Sequence, residues 1–390
     1  MNSPTRHVEL PTSDDADNVE QRWENVITGA IQGPFIQSLT DYLNEQNKKI
    51  RILELSSGSG GGLQSLTQIP LPNAPVSGAA EQLIPLDFVE TYHGLESDKK
   101  KVVQAQKHFH THENISFMSW DPADGISIVD EEPYDIYMFG RNALSYIDPE
   151  NAKHILKDIV HHSGERAMVI MEWNGQFGYS HQPEWMRQIA GPATLNTANG
   201  TISLGGRESA ESLVEDTSKN EHIFIRLTSV TDRSVFVGRP INDPEEHASR
   251  SLRPFVNNLW APGIRTPLEN LLIDYKPSEG FGQVNAFYID FAAAWNAVIG
   301  GAQYMLQELP ESPSINEIPI TMQGIVERAW THLRSAARLA DDMEVGDPRA
   351  YFLEPYLANM LRDLELQLQQ GIGCGSSLIA LAEVRKANKS

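Results

Sequence analysis

Between residues 50 and 63 a short apolar strand, Ile50-Arg51-Ile52-Leu53-Glu54-Leu55, delivers a carboxylate to a loop of small residues, Ser56-Ser57-Gly58-Ser59-Gly60-Gly61-Gly62, that opens onto a helix start at Leu63. Gly58 and Gly60 lack Cβ atoms, so the backbone there can turn through positive φ and come within van der Waals distance of a ligand. Glu54 at the strand end supplies a fixed negative charge, which repels the pyrophosphate of a dinucleotide but can orient an ammonium-bearing ligand. A strand, loop and helix in this order are how a parallel α/β sheet cradles an adenosine-type molecule.

The pattern Glu54-x-Ser56-x-Gly58-x-Gly60 resembles motif I of the class I S-adenosylmethionine-dependent methyltransferases, an acidic residue followed by glycines at alternating positions, with serine here at the first of them. The resemblance continues through Tyr92-His93-Gly94-Leu95-Glu96-Ser97-Asp98, similar to the family's second strand with its terminal acid. It implies that Glu96 holds the ribose hydroxyls, with Asp98 as the alternative. Gly58 and Glu96 lie 38 positions apart, against about 20 in the related dinucleotide-binding arrangement, so an insertion is expected, at residues 70–86. Ile115-Ser116-Phe117-Met118-Ser119-Trp120-Asp121 resembles the adenine site, with the Trp120 face stacking on the purine and Asp121 accepting from its exocyclic amine. Tyr134-Asp135-Ile136-Tyr137-Met138-Phe139-Gly140-Arg141-Asn142 resembles the fourth strand and its loop, and Ala167-Met168-Val169-Ile170-Met171-Glu172-Trp173 the fifth. The matches span roughly residues 45 to 240. They imply a Rossmann-like seven-stranded α/β sheet and S-adenosyl-L-methionine as cofactor, bound by Glu54, Ser56, Gly58, Gly60, Glu96, Trp120, Asp121, Arg141 and Asn142.

On the acceptor side the same resemblance points to the loops after strands four and five, which carry Arg141, Asn142, Tyr146, Glu172, Trp173 and Asn174. His181, just beyond the fifth strand, can take a proton at neutral pH. His181, Tyr146 and Glu172 are the catalytic candidates. The crowded His108, His110 and His112 alternate at a helix end and cannot share one face, so no metal is expected. Gly371-Ile372-Gly373-Cys374-Gly375-Ser376-Ser377 has no strand before it and no lysine after it, which argues against a phosphate loop and for an interhelical turn.

Positioning these groups requires more than one core, since 390 residues exceed what a single core usually organises. Residues 1–47 form an N-terminal extension and helical cover. There Trp23, Ile27, Ile31, Phe35, Leu39 and Leu43 recur every four positions in helices broken near Gly33-Pro34. Residues 48–242 form the cofactor-binding domain, which an antiparallel hairpin at 222–229 and 234–238 closes. Residues 194–220, aperiodic and polar, read as a loop or small hairpin set as a lid. Residues 243–390 form a mainly helical substrate or dimerisation domain, with helices at 284–309, 316–343 and 349–369 through which a homodimer could form.

The formal net charge of −21, from 31 basic and 52 acidic residues, repels a phosphate backbone and disfavours nucleic acid as a partner. It favours cationic substrates. The first 18 residues hold no apolar run, no membrane association is expected, and the one cysteine, Cys374, fits cytoplasmic residence. The leading expectation is a methyltransferase acting on a small molecule or peptide at oxygen, nitrogen or carbon. The alternative is a non-catalytic S-adenosylmethionine-binding regulator or scaffold. Leu63 at the last fingerprint position and Glu54 at the phosphate end both disfavour a nicotinamide-dependent oxidoreductase.

Overall fold

Every second residue of the central strands belongs to one of two apolar layers. Ile50, Ile52, Ile136, Met138, Met168 and Ile170 join one buried cluster, while Leu53, Leu55, Tyr137, Phe139, Val169 and Met171 join the other. This two-residue period, with both layers covered by helices, is what an apolar parallel sheet requires. The computed structural model describes residues 22–71, 81–126, 132–188, 193–197, 200–218, 223–237, 249–344 and 346–386.

In chain order the elements are α1 (Arg22–Glu45), β1 (Ile50–Leu55), α2 (Gly61–Thr67), β2 (Val89–Glu96), α3 (Lys99–His108), β3 (Ile115–Ser119), β4 (Ile136–Phe139), α4 (Pro149–His162) and β5 (Arg166–Gly175). There follow β6 (Thr194–Thr197), β7 (Gly200–Gly205), α5 (Arg207–Thr217), β8 (Ile223–Arg233), α6 (Ser249–Leu259), α7 (Gly282–Met305), α8 (Ile320–Asp341), α9 (Glu354–Leu368) and β9 (Ser377–Lys386). The sheet runs β3-β2-β1-β4-β5, all parallel. It continues through β9, antiparallel to both β5 and β8. Strand order reverses between β1 and β4, so the crevice at their carboxyl ends is the topological switch point where such sheets bind ligands. The Rossmann-like α/β architecture expected from the sequence is present, and the β6–β7 hairpin is added beside β5.

The closing hairpin is a correction. Residues 235–237 form a turn rather than a strand, and β8 pairs with β9, almost 150 residues later in the chain. The helices α6 to α9 are therefore an insertion between the last two strands in sequence, and residues 377–386 belong to the sheet rather than to a separate helical unit. The segment 371–376 is the turn that returns the chain to the sheet. Asp232 anchors it, accepting from the backbone N–H groups of Gly373 (2.8 Å), Ile372 (3.1 Å) and Gly375 (3.3 Å). Gly373 has φ +93° and Gly371 φ +68°, which side chains rarely adopt. The nest is thus an anion site, filled by the chain's own carboxylate.

Helix α1 runs unbroken through Gly33 and Pro34, contrary to the expected break. Its buried stripe slips by one residue at the proline, from Trp23, Ile27 and Ile31 to Ile36, Leu39 and Leu43, leaving Phe35 only partly buried. Packing of that stripe offsets the lost backbone bond. The expected lid at 194–220 is the β6–β7 hairpin followed by α5, whose Ala210, Leu213 and Val214 pack into the second apolar layer. Residues 72–80 of the expected insertion lie outside the described residues. Among the described residues no helix is long and apolar enough to cross a membrane.

Candidate active site

The loop after β1 is built around left-handed backbone. Ser56, Gly58 and Gly60 have φ of +59°, +58° and +93°. This accounts for the alternating glycine pattern and makes serine at position 56 a strained substitution, costing about 1–2 kcal/mol. A Cβ on Gly60 would stand 2.5 Å from the Phe109 ring, so glycine there serves close packing. A Cβ on Gly58 would meet nothing within 4 Å, so its Cα faces open space. Glu96 at the end of β2 holds this loop, accepting from Gly58 N–H at 2.8 Å with one oxygen and from Asp98 N–H at 2.9 Å with the other. Asp98 caps α3 through Lys100 N–H. Glu96 is therefore the acid that the fold brings to the glycine loop.

Glu54 lies fully buried, and the Tyr92 hydroxyl donates to its Oε2. Its Oε1 has no hydrogen-bond partner among the described residues. Gly62 and Gly140 make room for it, since a Cβ on either would stand 2.1 and 2.9 Å from Oε1. Burial pushes the Glu54 carboxyl up to about 8, a rise only partly offset by Tyr92 and Arg141 and increased by Glu172 and Glu96. The fixed negative charge expected at this position is thus a neutral acid at pH 7 in the ligand-free protein, one that an adjacent cation would ionise.

After β4, Arg141 and Asn142 adopt φ of +54° and +62°, two consecutive left-handed residues that are not glycine. Such strain persists where surroundings over-determine it and gathers at functional sites. The Arg141 guanidinium lies over the first turn of α2, its Nη2 1.8 Å from where a Cβ on Gly61 would stand. The Asn142 amide donates to Asn174 Oδ1 at 2.9 Å, and Asn174 N–H donates to Ser145 Oγ at 2.7 Å, which locks the loop to β5.

Glu172 and Asn174 project from β5 into the same layer as Glu54, opposite Trp173. Glu172 is 3% exposed, with Arg233 Nη2 3.6 Å from its Oε2. Arg233, at the end of β8, donates in turn to Thr28 Oγ1 of α1 at 2.7 Å and to Ser377 Oγ of β9 at 2.8 Å. The carboxyl ends of β1, β2, β4, β5 and β8 thus converge on a polar layer in which Glu54, Glu96, Glu172 and Asn174 are buried and Asn142 and Arg233 partly so. A separate open cavity of about 1040 Å³ between α1, α2 and α9 is lined by none of them.

Other candidates lie apart from this layer. Trp120 is 4% exposed, packed in the second apolar layer with its Nε1 donating to Gly125 O at 2.7 Å, so its faces are not open for stacking. Asp121, at the edge and exposed, caps a short turn through Ala123 N–H. Tyr146 is 65% exposed, and Trp173 packs over Gly205. His181 is buried, its Nε2 3.1 Å from the Gln176 carbonyl, an acceptor that fixes a proton on that nitrogen. Tyr92, Thr28 and Arg233 escaped the sequence reading. Tyr92 sat in view within the second strand, whereas Arg233 reaches Glu172 only through the distant return of β9.

No family model and no curated protein matches this chain. Among solved structures it is similar to an S-adenosylmethionine-dependent methyltransferase from Clostridium acetobutylicum, at 11% identity over 54% of this chain and 83% of that one, with TM-score 0.34. It is also similar to the plantazolicin methyltransferase in complex with a desmethyl analogue and SAH, at 14% identity over 54% and 71%, TM-score 0.34. A third is the PH0226 protein from Pyrococcus horikoshii, at 12% identity over 57% and 88%, TM-score 0.33. The functional reading rests on the geometry of the chain itself.

Proposed function

We propose that the chain is a class I S-adenosyl-L-methionine-dependent methyltransferase acting on a small molecule or peptide. The observation that carries this reading is the glycine loop at the switch point, open above Gly58, tied to Glu96, and bordered by a buried carboxyl oxygen of Glu54 that has no partner among the described residues. These residues fit the proposed group. Glu54 Oε1 suits an ammonium and the Arg141 guanidinium a carboxylate, which together match an α-amino-acid head. Glu96 retains lone pairs for sugar hydroxyls, and Asp121 stands beyond β3 for an adenine amine. When bound, the cofactor supplies an electrophilic methyl group on a sulfonium.

The chain's own contribution is positioning and exclusion of water, because methyl transfer depends chiefly on a nucleophile held about 3 to 3.5 Å from its target. Glu172, Asn142 and Asn174, on neighbouring strand ends, are the groups that would hold the acceptor, and α1 covers them through Thr28. A homodimer through α6 to α9 is part of the same proposal. Calorimetric titration with S-adenosylhomocysteine, followed by a labelled-methyl transfer assay, tests the reading. Saturable binding with transfer supports it, whereas binding without transfer to any acceptor supports the non-catalytic alternative.

A further inference from the structure

We infer that Glu172, with Asn142 beside it, is the recognition site for an amine, so that the acceptor presents a cationic nitrogen rather than a phenol or a carboxylate. The inference rests on the cofactor reading above and specifies the substrate class of that same site. Glu172 Oε2 is buried and has no hydrogen-bond partner among the described residues. The cation paired with it among the described residues, Arg233 Nη2, stands at 3.6 Å, beyond hydrogen-bond reach, and is already donating to Ser377 while Nη1 donates to Thr28. Arg233 therefore balances charge without filling the lone pairs. A buried acceptor left unpaired is costly, more so when charged, and a ligand's donors would recover that cost.

A second acceptor is left open close by. The Asn142 amide N–H donates to Asn174, and its Oδ1 is buried with no partner among the described residues. Phe139 pairs with Met171, so the next residues, Gly140 and Glu172, stand level, and Gly140 contributes no side chain to the space between Glu54 and Glu172. Asn174 follows two residues along the same face of β5, about 7 Å away. An unpaired carboxyl oxygen and an unpaired amide oxygen on adjacent strand ends call for a ligand with several N–H donors, and Asn174 Nδ2, also buried and unpartnered among the described residues, can donate to an acceptor on the same ligand. A carboxylate ligand brings no donor to Glu172 Oε2, and a phenol has one O–H for two acceptors. The chain's net charge of −21 favours the approach of cations.

The test is calorimetry on protein saturated with S-adenosylhomocysteine. Tyramine, histamine and spermidine are titrated first, then 4-ethylphenol and 3-(4-hydroxyphenyl)propanoate as the neutral and anionic counterparts of tyramine. At least one amine should saturate the site, and should bind at least tenfold more tightly than either counterpart. Glu172→Gln, which keeps side-chain volume, should reduce that affinity at least tenfold while S-adenosylhomocysteine affinity stays within twofold, which also certifies the fold. Three amines that fail to bind, or an amine preference that survives Glu172→Gln, would overturn the assignment. Failure of wild-type protein to bind S-adenosylhomocysteine would instead sink the cofactor reading on which it rests.

Discussion

Glu54 sets the most specific expectations at the scale of single residues. Its folded value of about 8 lies above the ordinary 4.5, so between those pH values the folded state binds more protons than the unfolded one. Its contribution to stability is therefore complete below about pH 4.5 and declines as pH rises through about 8, by a few kcal/mol in total. Urea melts of ligand-free protein should show this decline, and Glu54→Gln should flatten it; parallel profiles would refute the assignment. A cation bound at Oε1 reverses the balance. Binding of S-adenosylhomocysteine at pH 7 should release close to one proton in wild type and none in Glu54→Gln, measured as the dependence of binding enthalpy on buffer ionisation enthalpy. The place of this carboxylate at the end of β1 is legible in the sequence and its charge state is not, because Tyr92, Gly62 and Gly140 close around it only in the fold. Trp120 illustrates the reverse case, an aromatic at the expected position whose ring the second apolar layer absorbs.

At the scale of elements, the Asp232 carboxylate in the glycine turn connects the helical insertion to the sheet. Burial raises its pKa, opposed by the N–H groups of Gly375, Gly373, Ile372 and Gly371. Asp232→Ala should cost about 3 kcal/mol or more, since it leaves several buried donors unpaired. Gly373→Ala should destabilise as well, through its positive φ and a Cβ placed 2.7 Å from Gly205 O. Urea denaturation checks both, and wild-type midpoints would contradict the role of the nest. The glycine run is visible in sequence as a turn, but it lies between a helix and a strand rather than between two helices. The strand it feeds, Ser377–Lys386, has partners fixed by distant segments, which local periodicity does not register. Helix α1 was legible from its four-residue spacing, whereas its continuity through Pro34 depended on tertiary packing.

At the scale of the whole molecule, β9 lies between β5 and β8, so the sheet cannot close before residue 377. A fragment ending at residue 242 should be unfolded, with no cooperative urea transition. Joining residues 371–390 to it through a short flexible linker should restore cooperativity in part, since the apolar face that covers α7 and α9 would remain exposed. A cooperative transition in the first fragment would contradict this topology. The strands β1 to β5 are legible as apolar runs in the order the resemblance implies, and α8 and α9 through their apolar stripes. The interleaving of insertion and sheet is not, because it is fixed by pairing between residues about 150 positions apart.

The central claim is that the loop Ser56–Gly60 holds S-adenosylmethionine, and the most direct measurement is titration of S-adenosylhomocysteine into wild type and Gly58→Val. The valine would project into the open space above the loop from a φ of +58°. Wild type should bind one equivalent, and Gly58→Val, with an unchanged circular dichroism spectrum, should lose at least a hundredfold in affinity. Equal affinity in the two folded proteins, or no binding to wild type, would contradict the account.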